Sequence, residues 1–396
     1  MLRCLRCKNA PSMVSSKTSY LCSLLFFWVG ITTISACKDE SDDFTSGNFY
    51  PIDPKEVDPV TPIDTTTVID PPDSCWVAPI SVTKAGDFNN LFTRYGGGWT
   101  GGDATYSIPL PDGRVLWLFG DSFMGTVKPD RSRPPSGFQR NAFVVQDGTN
   151  LTTLTGGATA YMKPADSGWW YWPGHGNAYN DTLQVVLFGF KSTGGGAWDF
   201  AYASVDVATF HLPDFTLLSL ERKVADPATN YGACLLEDGG YTYIYGSEKV
   251  GFSKFLHVAR VKGRDLNGAW EYFTGMGWSA DPMASGRVFA NVSDQFSVFK
   301  KGDKFYLMTQ HHILGGEIYL YDSDAPAVGF DHKRTIYCTP EHKKGNLFTY
   351  NAFAHPEFSN DGALLVSYNV NSFVFGDLFQ NADNYRPYFV RVRGWE

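Results

Sequence analysis

The sequence predicts an all-β fold, a five-bladed β-propeller, and three observations carry that expectation. Five times a short strand runs into an Asp/Asn/Gly turn and returns as an apolar run: Gly102 to Phe123, His175 to Phe190, Tyr231 to Glu248, Ser293 to His312 and Tyr350 to Asn371. The turns centre on Gly113, Asp181, Gly239, Gly302 and Gly362, about sixty residues apart, the repeat length of a blade whose inner two strands form a hairpin. Aromatic residues make up 16% of the chain, glycine is abundant and long helix-period stretches are missing, as expected of many short strands joined by turns.

The elements follow in chain order. Residues 1–37 read as an export segment. Met13 opens it with Lys17 near its start, an apolar run follows from Leu21 to Ile34, and small residues precede Cys37. Met1 to Pro11 lie upstream of this better start. The apolar run is short for a membrane span. Ile34-Ser35-Ala36-Cys37 resembles the bacterial lipobox, which implies lipidation at Cys37 and an outer-membrane anchor. Residues 38–75 form a disordered tether rich in Pro, Asp and Thr, which cannot bury a core and favours extended conformations. Beyond Cys37 the mature chain keeps Cys75, Cys234 and Cys338. Three is odd, so at least one is unpaired in a monomer, the expected state, and no disulfide framework is implied. No thiolate pair has zinc spacing.

Residues 76–396 form the propeller. Outer strands are predicted over Asn141 to Gln146, Phe200 to Val205, Phe215 to Leu220, Phe255 to Val261, Ile318 to Asp322, Thr335 to Cys338 and Tyr388 to Arg393. Blade five lacks a fourth strand, and the segment Trp76 to Thr93 is the natural donor. Such closure would protect edges that otherwise invite aggregation.

Hairpin geometry locates a pocket. Asp103 and Asp121 lie at similar distances either side of the Gly113 turn, so both should reach one rim on neighbouring strands. The same reasoning brings His175 and Lys191, then Tyr231 and Glu248, then Asp294 and His311, then Asn351 and Asn371 to that rim. The other rim receives generic turns such as PDG, EDGG and KKGD. Glycoside cleavage needs one carboxyl protonated as acid and one ionised as base or nucleophile. Asp103, Asp121 and Glu248 are therefore the catalytic candidates, and two carboxylates on adjacent strands would repel and raise one pKa. Each also has a plainer reading: Asp121 and Asp294 as turn caps, Glu248 as a solvated loop residue. Trp99 and the Trp169 to Trp172 cluster, Trp172 above all, are candidates for stacking on sugar rings, although alternation forbids all four from facing one way. His311 and His312, adjacent on a strand, should face opposite sides. No cofactor motif exists, no metal site is expected, and a calcium ion in the channel would have no ligand motif to hold it. A net charge of −8 argues against a nucleic-acid partner and suits a neutral glycan.

The run WTGGDATYSIPLPDGRVLWLFGDSF with a lipobox upstream resembles a group of secreted Bacteroidota lipoproteins that share a domain of unknown function. The acidic run at Lys38, Asp39, Glu40, Asp42 and Asp43 looks like their surface-export signal, or reads as a solvated linker. That group is similar to five-bladed propeller glycoside hydrolases, particularly the endo-D-arabinanases, over about Trp99 to Trp395. The resemblance implies Asp103 and Asp121 as the acid/base pair. Older arabinanase and fructosidase propellers place acids on three blades, whereas blade two here offers His175. Sialidase Asp boxes are absent. The expectation is a surface-tethered glycoside hydrolase acting on an arabinan- or galactan-type polysaccharide, with Asp103 as base or nucleophile and Asp121 or Glu248 as acid. The alternative is a non-catalytic glycan-binding lipoprotein.

Overall fold

Each of the five predicted hairpins forms the inner pair of one antiparallel sheet, and the five sheets close into a five-bladed β-propeller. The computed structural model describes residues 75–396 apart from 136, 156–159, 197–198, 226 and 313. The export segment, Cys37 and the tether up to Ser74 lie outside the described residues.

From the channel outward, blade one is Trp99–Pro109, Val115–Met124, Ala142–Asp147 and Asn150–Leu154, with Phe138–Gln139 paired onto its second strand. Blade two is Trp169–Tyr179, Thr182–Ser192, Phe200–His211 and Thr216–Ala225. Blade three runs Thr229–Asp238, Tyr241–Val250, Ser253–Lys262 and Trp270–Phe273, with two short additions. Blade four is Phe296–Lys301, Lys304–Gln310, Glu317–Ser323 and Asp331–Cys338. Blade five is Leu347–Asn360, Ala363–Ser372 and Pro387–Arg393, and Ser81–Lys84 completes it by pairing Ser81 with Arg393 through Lys84 with Val390. The donated strand is the one the sequence nominated. The inner strands touch in ring order, with blade one against blade five.

Sheets pack face to face between blades, so the second strands are buried on both sides and read as continuous apolar runs, such as Val115 to Phe119 and Leu364 to Val366. Trp117, Phe119, Phe389 and Phe92 fill the space between blades one and five, and the short helix Gly86–Leu91 after the donated strand contributes Phe88. Val186, Val205, Ile244 and Trp270 do the same between blades two and three.

A disulfide joins Cys75 to Cys338 across 263 residues of sequence, fastening the start of the fold to the outer strand of blade four. The cysteine count suggested no such framework; it left one thiol over, and that is Cys234, buried and free.

Candidate active site

Asp103 reaches the channel because the strand carrying it is bulged. Pairing slips between Gly102 and Ala104 and again between Ala104 and Tyr106. Ala104 and Thr105 both adopt the left-handed region, with φ of 74° and 68°, which is uncommon for any residue with a Cβ and rarer for a β-branched one. Such strain, about 1–3 kcal/mol per residue, persists only where neighbours impose it. Here they do. Asn369 Nδ2 of blade five donates to Gly102 O (3.3 Å) and Thr105 Oγ1 (3.0 Å), and Gln295 Nε2 of blade four donates to Ala104 O (2.6 Å). A side chain at Gly101 would collide with the Tyr385 carbonyl at 2.3 Å, so the glycines before Asp103 serve protein packing rather than close approach to a ligand.

The two carboxylates expected at one rim on neighbouring strands line one cavity. Asp121 follows Gly120 on the adjacent strand, and a Cβ placed on Gly120 would sit 2.5 Å from Asp103 Oδ1. Asp103 Oδ2 accepts hydrogen bonds from the hydroxyls of Tyr350 (2.7 Å) and Tyr385 (3.1 Å), and Asn371 Nδ2 donates to the Tyr350 hydroxyl (3.2 Å). Asp121 Oδ1 accepts from Trp172 Nε1 (2.7 Å), and Arg140 Nη1 pairs with its Oδ2 at 3.2 Å. Burial, then the Asp121 charge, pushes the Asp103 carboxyl up to about 7, against the pull of the two tyrosines. Burial also raises Asp121, to about 6, opposed by Arg140 and Trp172. Asp121 has a cation beside it and Asp103 has only neutral donors, so the first proton shared by the pair resides on Asp103.

These carboxyls line a cavity of about 530 Å³. One wall is Trp170, Trp172, Phe190 and Phe200 from blade two; the other is Phe138, Phe348, Phe373 and Phe375 from blades one and five. Alternation holds in the Trp169 to Trp172 run: Trp170 and Trp172 face the cavity, while Tyr171 is buried with its hydroxyl on Asp206. Phe373 and Phe375 remain more than half exposed, at 65% and 54%. Asp294, Asn351 and Asn371 also line the cavity, Asp294 from its rim beside Lys254.

Several predicted site residues lie elsewhere. Trp99 is 1% exposed, stacked on Phe119 at 4.2 Å and edge-on to Phe92, so it is core and meets no sugar. Glu248 does not line the cavity; Arg287 holds it through two bonds (2.6 and 3.1 Å), His257 adds a third at 3.2 Å, and the Arg287 bond lowers its pKa below the usual range. Tyr231 turns away between blades, its hydroxyl donating to Ser285 Oγ at 2.7 Å. His175 lies deeper than predicted, because the inner strand of blade two begins at Trp169. Its Nδ1 accepts from Leu235 N and its Nε2 faces Ser107 O, so burial holds it neutral at about 4. Lys191 stands over the Trp169 ring at 5.8 Å, outside the cavity lining. His311 and His312 follow the end of their strand and stack at 5.0 Å instead of pointing apart, and His311 does not line the cavity. Arg140, Tyr385 and Phe375 were missed; all three come from connections between strands, where no periodicity marks them. Among the described residues no group of three or more His, Cys, Asp or Glu could hold a metal ion.

The fold and site thus define a five-bladed propeller with a partly buried carboxylate pair between aromatic walls. The chain belongs to the family described as a domain of unknown function (DUF5005), which matches residues 85–395. It is similar to a crystal structure of a presumed hydrolase from Bacteroides ovatus, at 26% identity and a TM-score of 0.73, covering 83% of this chain and 94% of that one. Lesser similarity extends to an α-L-arabinofuranosidase from Clostridium thermocellum (14% identity, TM-score 0.44, 72% of this chain and 87% of that one). It extends also to an α-L-arabinofuranosidase from Podospora anserina (10%, 0.45, 75% and 92%). No curated protein matches the chain.

Proposed function

We propose that the protein is a surface-anchored glycoside hydrolase that cleaves an arabinan- or galactan-type polysaccharide. The observation that carries this reading is the pair Asp103 and Asp121, on neighbouring strands, partly buried and unequally partnered in the lining of an aromatic-walled cavity. The roles are the reverse of the sequence expectation. Asp103 holds the proton and gives it to the glycosidic oxygen; the Tyr350 and Tyr385 hydroxyls then donate to the carboxylate left behind. Asp121, kept ionised by Arg140 and Trp172, acts at the anomeric carbon or on the water that attacks it. The Trp170, Trp172 and Phe373, Phe375 faces supply apolar surface for the C–H faces of sugar rings. The Cys75–Cys338 disulfide supports an oxidising compartment, in keeping with export through Cys37.

The test is product release. Protein starting at Ser74 is incubated with arabinans, arabinogalactans, galactans and fructans, beside Asp103→Asn and Asp121→Asn. Cleavage of one polymer that both variants lose is the expected result. Binding of a polymer by all three proteins with cleavage by none would overturn catalysis and leave a glycan-binding lipoprotein.

A further inference from the structure

We propose that the opposite mouth of the channel binds a small organic ammonium ion, with the Glu357 carboxylate as its counter-charge. A second cavity, of about 480 Å³, opens there and is lined by the downstream halves of all five inner strands. Its walls are largely apolar, with Ile108, Leu235, Val298 and Phe353 among them, and Glu357 lies in the lining. The Glu357 side chain is 22% exposed, and a carboxylate facing apolar walls is favoured when a cation pairs with it. Among the described residues the one ion-pairing neighbour of Glu357 is the His355 ring, at 4.0 Å. His355 is fully buried and burial lowers its pKa to about 3, so that ring brings no charge. The other titratable groups lining the cavity add no net charge: burial keeps His175 neutral, pushes the Cys234 thiol up to about 12 and raises the Tyr179 phenol, while the charges of Glu237 and Arg264 pair with each other at 2.8 Å. Burial raises Glu357 to about 7, so it is the group there that changes charge near neutrality.

The ligand class follows from what the cavity offers. A hard metal ion needs several oxygen ligands, and Glu357 is one carboxylate against apolar walls. An alkylammonium satisfies both parts, its charge on the carboxylate and its carbon chain on the walls.

Glu357 also heads a chain of hydrogen bonds that reports its charge. The Ser107 hydroxyl contacts Glu357 Oε1 and lies 2.6 Å from His355 Nδ1, and His355 Nε2 lies 2.8 Å from Ser367 Oγ. One hydroxyl has one proton to donate. With Glu357 protonated, it donates to Ser107, Ser107 donates to Nδ1, and His355 carries its proton on Nε2. With Glu357 ionised, Ser107 donates to the carboxylate and His355 must carry its proton on Nδ1. Below about pH 7, where Glu357 is largely protonated, binding a cation therefore moves a proton between the two nitrogens of a ring it never touches.

The experiment titrates the protein with n-butylammonium, 1-butanol, potassium and calcium chlorides at pH 8 by calorimetry, and follows His355 by ¹⁵N NMR at pH 6, where the free Glu357 carboxyl is mostly protonated. The expected result is one butylammonium site, an affinity that falls about tenfold per pH unit below about 7, a loss of about tenfold or more in Glu357→Gln, and His355 shifting to the Nδ1–H form on binding. Equal affinity for butanol, saturation by a metal salt with no ammonium binding, or an unchanged His355 tautomer on binding in the wild type would each overturn it. The NMR arm needs no variant, and neither arm depends on glycosidase activity.

Discussion

Replacing Asp103 with Asn should make the protein more stable at alkaline pH while abolishing its chemistry. A carboxyl whose folded pKa is raised favours the folded state below its unfolded pKa, and that contribution is lost as pH rises through the folded value. For Asp103 the window runs from 3.8 to about 7. Three units at about 1.4 kcal/mol each bound the effect near 4 kcal/mol, and because Asp121 shares the titration about 1–3 kcal/mol is expected for one site. Asn is neutral at every pH and still accepts from Tyr350 and Tyr385 through its carbonyl. Thermal unfolding of wild type and variant between pH 4 and 8 measures the difference. The two should melt together near pH 4 and diverge by about 2–6 °C at pH 8, the variant higher, at about 2 °C per kcal/mol for a domain of this size. A variant that melts below wild type at pH 8 by more than at pH 4 would mean that the folded protein stabilises the Asp103 carboxylate, and the acid role assigned to it would fall.

Other consequences of the geometry are equally direct. Arg140→Gln removes the cation that keeps Asp121 ionised, so the acid limb of kcat/KM should move about one unit to higher pH; an unmoved limb would detach Asp121 from that titration. Trp99→Ala should cost about 3–5 kcal/mol in denaturant unfolding, as expected for a buried tryptophan, whereas glycan affinity measured well below the melting temperature stays within twofold of wild type, about 0.4 kcal/mol. Asn369→Ala releases the strained turn at Ala104 and Thr105, and kcat should fall at least about tenfold with KM little changed; a KM effect alone contradicts a positioning role. Replacing both Cys75 and Cys338 with Ala should lower stability by about 2–5 kcal/mol under oxidising conditions, and a reductant should reproduce that loss in the wild type.

The ring, its closing strand and the placing of Asp103 and Asp121 on one cavity were legible because strand length and turn position are periodic signals. Blade two misled because Pro173 and Gly174 suggest a strand start, yet the inner strand is an edge strand facing the channel and tolerates a proline lacking a ladder donor. Tyr231 was aimed wrongly because pairing slips between it and Cys234, which alters the alternation that hairpin counting assumes. Trp99 sits beside the catalytic candidate in sequence, but its ring packs into the seam between blades one and five. Arg140, Tyr385 and Phe375 could be found only once the loops were placed, since proximity across blades leaves no trace in local pattern.

The Cys75–Cys338 bond has a mechanical meaning. A pull arriving along the chain from the N-terminal side enters the fold at Cys75, and from there the covalent path leads first into the outer strand of blade four. The four-residue strand Ser81–Lys84, which closes the ring, lies behind that junction and feels little of the force. Without the bond the same pull would act on four residues of ladder end-on, peeling them from Pro387–Arg393 and opening the ring at its seam. With it, shear and drag on the domain are borne by a covalent bond, and the two carboxylates at the centre keep their spacing while the molecule is tugged.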